Sequence, residues 1–564
     1  MHRRLGASKF LLVALSAVPS GAAAVVAPPS PRLTESPRLS AYIGLADSAA
    51  KTWPLVKVGV QCSSLGGGCG LFTTEDVDEG ELLLVMPYSA CITRGSAFED
   101  ATAGPALRRI ANRRGDSSAL AGWMAMQHLC DDSRGSFLEA HPFAEDEEPT
   151  HFLWWNEAEI AAHLRGLALA EARQVRMEVA REVTFLRRAL MPIVEARLVA
   201  KGRLDGYDTT SLQADLSRSL RGAFVCILSR AFGTPGAAEE EEEAEDVDSY
   251  VRACQNPMLV PILDACQHAY PPNIVHGTEA FLIDGKETIC YVCRAAESLA
   301  SGSELFNDYG ATIKPDFVLA TNYGFAPNFG RGDADEMPSP YSCAARLQLP
   351  WALVDSVGND GHNRWASMPP MLTDAPNGGV DETFEQAKMR LLKQEYGDAA
   401  ADAVQLAALL QCDVTYLQLL IGPAAGGPVG RLAATARWAA LTPSDVARSG
   451  GGRDLEAMAV DVLRRLRRVD DENDARAADA IRLAAGWQLQ ELEPQEDEEA
   501  DVPSARVDAV EIDVRRGDVH GAARAALGAA LRLSEGAVLA ALVANADNVF
   551  ALGGLDMDTE PDAS

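Results

Sequence analysis

Hydrophobic positions change their period several times along this chain. Between Val58 and Met86 they fall in short runs: Val58-Gly59-Val60, Gly70-Leu71-Phe72-Thr73, and Leu82 to Met86 closed by Pro87. Leu65-Gly66-Gly67-Gly68 and Asp78-Glu79-Gly80 are turn signals between them, so the region predicts β-strands. A helical stretch, Leu39 to Lys51, precedes them. From about Ala97 to Phe232 the period becomes helical. Val175, Val179, Val183, Leu186, Leu190 and Val194 make one apolar stripe, with arginines and glutamates beside it. Pro192 lies within that stripe and predicts a kink or restart, because proline lacks the N–H that a helix interior uses. Strand chemistry returns from Met258 to Phe306, limited by Pro261, Pro271 and Pro272, with a hairpin over Phe281 to Arg294. Beyond about Pro338 the pattern is helical almost to the end, Thr383–Tyr396 and Leu455–Val469 being examples. The expectation is an α+β chain: a β-rich core, a long helical insertion, then an all-α C-terminal region.

Composition narrows what these elements can be. At 564 residues, 47% of them hydrophobic, the chain is too long for one core and apolar enough for globular folding. The changes of period set boundaries: a targeting segment and proline-rich linker over 1–40, then a strand-rich domain over 41–335 with its insertion at about 97–232. A helical domain over 338–491 and a helical segment with tail over 502–564 complete the chain. A formal net charge of −31 argues against a nucleic-acid binder, which needs a lysine and arginine surplus, and favours basic partners. Glu239 to Glu243, inside an acidic loop at 238–248, predict a solvated segment. The eleven cysteines follow no regular spacing. Cys290 and Cys293 would point to opposite faces of a strand, and no second Cys/His pair joins them, so buried thiols and no metal site are expected. A reducing compartment follows from that. Arg3-Arg4, the apolar run Phe10 to Val18 and the small residues Gly21 to Ala24 resemble a targeting signal. They suggest an organelle such as a plastid reached in two steps, with cytoplasmic and secretory destinations as alternatives. That run is shorter than the roughly 20 residues of a membrane span, and no later stretch reads as one.

Three separated segments concentrate the candidate chemistry. The first is Gly66-Gly67-Gly68-Cys69-Gly70-Leu71-Phe72, where glycines let a ligand approach the backbone closely. The second runs from Val260 through Asp264-Ala265-Cys266-Gln267-His268 to Asn273. The third is Gly302 to Gly310, containing Asn307-Asp308-Tyr309, and is followed by Asn322-Tyr323-Gly324-Phe325. Two more stretches lie in the insertion: Ser136 to Pro142 with Phe152-Leu153-Trp154-Trp155, and Ala223 to Phe232.

In order and spacing, from about Val58 to Pro327, these segments resemble the SET-domain protein methyltransferases. The subgroup is that of the Rubisco large-subunit lysine methyltransferases. The resemblance implies S-adenosylmethionine as cofactor, transfer of its methyl group to a lysine of a folded protein, and a helical C-terminal domain that docks this substrate. It implies that the Gly68, Cys69 and Gly70 backbone, Gln267 and His268 meet the cofactor, and that the Tyr323 ring flanks it. Arg230 would pair with the cofactor carboxylate, a bidentate task that suits arginine. Asp264 would lie near the substrate channel, and Tyr309 would be the central catalytic side chain. The subgroup has asparagine where this chain has Gln267, which puts cofactor affinity in question. A histidine acceptor and a SET-fold scaffold without turnover are the alternative readings.

Overall fold

The computed structural model describes residues 37–63, 68–130, 136–145, 148–204, 207–233, 256–269, 271–309, 316–326, 344–347, 404–407, 428–448, 454–465, 467–492 and 519–552, with a few single positions between 384 and 394. The targeting segment, the acidic loop and most of Thr383–Tyr396 lie outside these residues. Helix α1 (Pro37–Thr52) is followed by strands β1 (Leu55–Val56), β2 (Val58–Cys62), β3 (Cys69–Thr73) and β4 (Leu82–Pro87). The insertion holds α2 (Gly104–Arg114), α3 (Asp116–Cys130), α4 (Glu157–His163), α5 (Gly166–Ala200) and α6 (Thr209–Arg230). Strands β5 (Phe232–Gly233), β6 (Pro257–Met258), β7 (Gln267–His268), β8 (Ile274–Ile283), β9 (Lys286–Ala295) and β10 (Glu304–Asn307) come next. After α7 (Asp316–Tyr323) lie β11 (Ala344–Leu347), β12 (Val404–Ala407), α8 (Pro428–Ala439), α9 (Asp471–Leu492) and α10 (Val519–Leu552).

The chain divides into two units. The first comprises the described residues up to Tyr88 together with Ala265–Asn307, and it holds two four-stranded sheets. One has the order β1-β4-β9-β8. Its β8–β9 hairpin turns at Asp284-Gly285, whose φ values of 49° and 76° are those of a tight primed turn. The other has the order β2-β3-β10-β7. Here β10 runs antiparallel to β3 and parallel to β7, with Phe306 opposite Gln267 and Asn307 opposite His268. Two segments distant in sequence thereby lie side by side, as the motif order implies. Leu71, Leu83, Leu84, Met86 and Leu305 are fully buried between the elements, and α1 contributes Tyr42 to the core.

The second unit is mainly helical. In α5 most of the stripe read from sequence is buried: Val175, Val179, Leu186, Leu190 and Val194 face inward, while Val183 is only half-buried and Leu198 extends the buried face by a turn. The helix neither stops nor restarts at Pro192, contrary to one of the two expected outcomes. Pro192 is exposed, so the Arg188 carbonyl that it leaves without an N–H partner faces water. Farther along, α8, α9 and α10 pack through small side chains, among them Ala433, Ala436, Ala477, Ala478, Ala484 and Ala485, with Leu432, Ile481, Leu539 and Leu542 filling between them. Its described residues are mainly helical as expected, with one addition that the periodicity did not reveal: β11 pairs antiparallel with β12. The Leu455–Val469 helix is shorter than its pattern, passing at Val460 into a wider turn that ends at Arg464.

Helix α10 also corrects an expectation. Its stretch Ala523–Ala544, with a mean hydropathy of 1.6, is long and apolar enough to cross a membrane by length and composition alone. In this fold it packs on α9, and its charged side chains are held by ion pairs or by backbone hydrogen bonds. Arg524, 2% exposed, bonds the Pro149 carbonyl at 2.9 Å and the Glu145 carboxylate at 2.5 Å, and also pairs with Glu159. Glu535 accepts from the Leu167 N–H at 3.0 Å, capping the start of α5.

Candidate active site

In the first unit the glycine strand is held from three sides. Gly68 has φ +78°, a conformation that costs a side-chain-bearing residue energy, and its carbonyl accepts from the Ser63 N–H at 3.1 Å. Gly70 serves a different purpose. A Cβ there would meet the Glu304 carboxylate and lie 3.1 Å from Ser63 Cα, so its bare Cα makes room for neighbours within the unit. Ser63 Oγ donates to Glu304 Oε1 at 2.6 Å, tying the entry of the loop to β10. Gln267 Nε2 donates to the Cys69 carbonyl at 2.6 Å, so the long amide spans β7 to β3. Asn273 braces β10 in turn: Nδ2 donates to the Glu304 carbonyl at 2.9 Å and Oδ1 accepts from Phe306 N–H at 2.7 Å.

In the second unit a chain of charged groups surrounds the end of α6. Arg230, in the last turn of that helix, donates from Nη1 to the Asp264 carbonyl at 2.8 Å and from Nη2 to Glu148 Oε1 at 2.5 Å. The Asp264 carboxylate meets His141 Nε2 at 2.9 Å, both side chains being fully buried. His141 reaches this place because Gly222 of α6 lets the neighbouring chain pass closely. A Cβ at Gly222 would lie 2.7 Å from Phe143 Cα. Asp264 is presented by a strained turn. Ile262 has φ +73° and is fully buried, a conformation that a β-branched residue adopts only when its surroundings impose it, at about 1–3 kcal/mol.

The same unit gathers the aromatic residues. The Tyr309 and Tyr323 ring centres are 4.5 Å apart, with Phe325 at 6.3 Å from Tyr309 and 6.2 Å from Tyr323. Tyr323 Oη donates to the Tyr309 carbonyl at 3.3 Å. Helix α7 ends at Gly324, with φ +75° and its N–H bonded to the Ala320 carbonyl at 3.0 Å, as a helix C-terminus favours. Gly324 also sits against the backbone of His151. That imidazole is fully buried, and burial lowers its pKa to about 4. Its Nε2 lies 3.1 Å from the Asn322 carbonyl, while Nδ1 accepts from the Leu153 N–H at 3.3 Å. Because a carbonyl can only accept, the network assigns the neutral ring with its hydrogen on Nε2.

Of the residues singled out from sequence, the structure brings Gly68, Cys69, Gly70, Gln267 and His268 together in the first unit. It brings Arg230 to Asp264, and Tyr309 to Tyr323, in the second. Arg230 spends contacts on Glu148 and the Asp264 carbonyl, which the expected pairing with a cofactor carboxylate did not anticipate. Sequence reasoning assigned no role to His141, Glu148, His151, Ser63, Asn273 or Glu304. His141, Asn273 and Glu304 stood inside quoted motifs; the others gave no signal.

The two-sheet core with its helical insertion is the SET-domain fold. Among solved structures, the SET domain of LSMT bound to lysine and AdoHcy superposes with a TM-score of 0.57 over 93% of both chains, at 14% identity. Rubisco LSMT bound to AdoMet gives 0.55 over 91% of this chain and 92% of that one, also at 14% identity. In sequence, the chain is similar to the N-lysine methyltransferase setd6 of Salmo salar, 24% identical over 275 residues. That match covers 48% of this chain and 54% of the relative. It is similar at the same level to SETD6 of Homo sapiens, over 284 residues, 49% of this chain and 52% of that protein. The chain thus spans about half the length of the curated relatives it matches. No family model matches the sequence.

Proposed function

We propose that this protein is an S-adenosylmethionine-dependent protein-lysine N-methyltransferase that acts on a folded protein. The observation that carries the reading is the aromatic trio Tyr309, Tyr323 and Phe325 in a SET-fold chain. Three rings within 6.3 Å of one another offer an apolar wall to an aliphatic side chain, with hydroxyl groups at its rim. The lysine methyltransferase names of the sequence relatives, and the AdoMet, AdoHcy and lysine named with the solved structures, support it.

With no side chain at Gly68, a ligand can approach the start of this strand closely, and Gly68, Cys69, Gly70, Gln267 and His268 are assigned to the cofactor. Arg230 is assigned to its carboxylate and Tyr323 to its flank. Bound S-adenosylmethionine supplies a sulfonium methyl group. The protein's part is to present a neutral amine in line with it. A free lysine has a pKa of about 10.4, so deprotonating it near pH 7 costs roughly 4–5 kcal/mol unless the surroundings shift it. An apolar channel lowers that cost by disfavouring ammonium. Tyr309 is assigned to orient the amine and the methyl group, Asp264 to the neighbourhood of the substrate channel, and the helical region over 338–491 to docking of the protein substrate.

The test is radiolabelled methyl transfer from S-adenosylmethionine into a cell lysate by the full chain, with mass spectrometry of the labelled residue. Labelled lysine is the expected result; labelled histidine or no label overturns the assignment. Tyr309→Phe should lower single-turnover transfer on the order of 10²-fold while cofactor affinity holds.

A further inference from the structure

The glycine strand carries a pair of thiols to which the proposed methyl transfer gives no part, since only the backbone of Cys69 is assigned to the cofactor. In the β2–β3 ladder Cys62 lies directly opposite Cys69. The bonds from Thr74 N–H to the Lys57 carbonyl, 3.0 Å, and from Ser63 N–H to the Gly68 carbonyl, 3.1 Å, mark 57/74 and 63/68 as hydrogen-bonded pairs. Alternation along an antiparallel ladder then makes 62/69 a non-hydrogen-bonded pair. Side chains of such a pair project from the same face, with Cα atoms about 4.5 Å apart. That separation falls inside the roughly 4.4–6.8 Å that a disulfide spans. Cys62 is partly exposed and Cys69 buried, and the structure joins neither in a disulfide. No other two cysteines are register partners among the described residues.

We propose that Cys62 and Cys69 form a dithiol modification site, which a small disulfide such as oxidised glutathione closes into a cross-strand bond, and that closure weakens cofactor binding by the glycine strand. The second half rests on the proposed function; the first does not. Cys62, the accessible thiol, gives up its proton and attacks one glutathione sulfur. The glutathione S–S bond breaks, a mixed disulfide forms, and the departing thiolate takes the proton. Cys69 then loses its proton and attacks Cys62 Sγ, releasing the second glutathione. The two cysteines lose two electrons and the oxidant gains two.

The strand has little slack to absorb the new bond. Cys69 sits between Gly68 and Gly70, its carbonyl held by Gln267, while Ser63 next to Cys62 is held by Glu304. A Cβ at Gly70 would already collide with its neighbours. A disulfide requires a dihedral of about 85–100°, so closing it draws the Cys62 and Cys69 backbones together and disturbs the Cys69 carbonyl that Gln267 holds. Closing so short a loop adds less chain-entropy stabilisation than a long one would, which favours reversal by thiols.

The full chain is incubated with oxidised glutathione or with dithiothreitol, then mapped by mass spectrometry without reduction. Backbone hydrogen exchange of 68–73 and titration with S-adenosylmethionine follow. The expected results are a Cys62–Cys69 link, altered exchange in that strand, and cofactor affinity at least 10-fold lower, all reversed by dithiothreitol. Cys62→Ser, or Cys62→Ala should the serine variant not fold, should bind like reduced protein and ignore the oxidant. Only glutathione adducts, or a linked protein with unchanged exchange, overturns the site. A linked protein that exchanges differently yet binds the cofactor with unchanged affinity overturns the coupling. Reduced protein that binds no cofactor defeats the proposed function, and mapping and exchange still decide the dithiol.

Discussion

The glycine strand of the first unit is held by uncharged amides, carbonyls and a single serine–glutamate bond, whereas the Arg230 cluster of the second unit is held by charges. Around Gly68–Gly70 the partners are supplied by strand register, and each contact replaces one hydrogen bond to water with another. Around Arg230, Glu148, Asp264 and His141 come from segments far apart in sequence, and the His141–Asp264 pair is wholly withdrawn from water. Buried charges are costly to leave without compensation. The difference teaches where the molecule is brittle: the charged cluster fails steeply when one member is removed, and the strand fails gently.

The sharpest break should come from His141→Ala. Removing the imidazole leaves the Asp264 carboxylate buried without its 2.9 Å partner, at a cost of about 3 kcal/mol or more. The check is the shift in chemical unfolding midpoint; a loss under 1 kcal/mol would mean that water or a rearranged neighbour replaces the ring. Arg230→Ala should weaken S-adenosylmethionine binding by about 1.5–3 kcal/mol, read by calorimetry on the folded variant. Unchanged affinity would confine Arg230 to holding Glu148 and the Asp264 turn.

The contrast also separates what the sequence made legible from what it hid. Strands β2, β3, β4 and the β8–β9 hairpin follow from short apolar runs and turn signals, because register is a local matter once the turn is set. The buried face of α5 was equally readable from its stripe. Pairing of β7 with β10 followed from motif order. The β11–β12 pair did not, since four-residue strands 60 residues apart leave no periodic trace. Within the site, Arg230, Asp264 and Tyr309 stood out through the ordered resemblance. Glu148 and His151 carried no sign of their partners, since a charge or an imidazole alone does not tell what it will face. The buried role of Ile262 in a strained turn was likewise invisible, because propensity points a β-branched residue toward strand.

His151 provides a third test, through pH. Its folded pKa of about 4 lies below the ordinary 6.5, so between those values the unfolded chain binds the extra proton and the folded chain does not. Stability therefore rises with pH across that window and is lost as pH falls from about 6.5 toward 4. The loss should reach a few kcal/mol at the acid end. His151→Gln keeps a donor for the Asn322 carbonyl and removes the titration. Its unfolding midpoint should show a flatter dependence over this window; the same slope as wild type would move the effect to other groups.

The smallest effect, and the one that sharpens the comparison most, is expected from Gln267→Asn. The substitution keeps the amide but removes one methylene, so Nδ2 falls short of the Cys69 carbonyl that the glutamine reaches at 2.6 Å. The β7–β10 backbone pairing does not depend on that side chain and should persist. One neutral hydrogen bond is lost at a half-buried position where water can substitute, so the fold should lose only about 1 kcal/mol. Gly68 and Cys69 lose their tether, and exchange of their amide hydrogens should quicken while that of β10 stays unchanged. If cofactor binding depends on the strand being fixed by Gln267, affinity should fall by a few-fold, and the loss should be offset where the shorter amide itself suits the cofactor. A loss of 3 kcal/mol or more would show that this uncharged strand is as brittle as the charged cluster, and the contrast between the two regions would not hold.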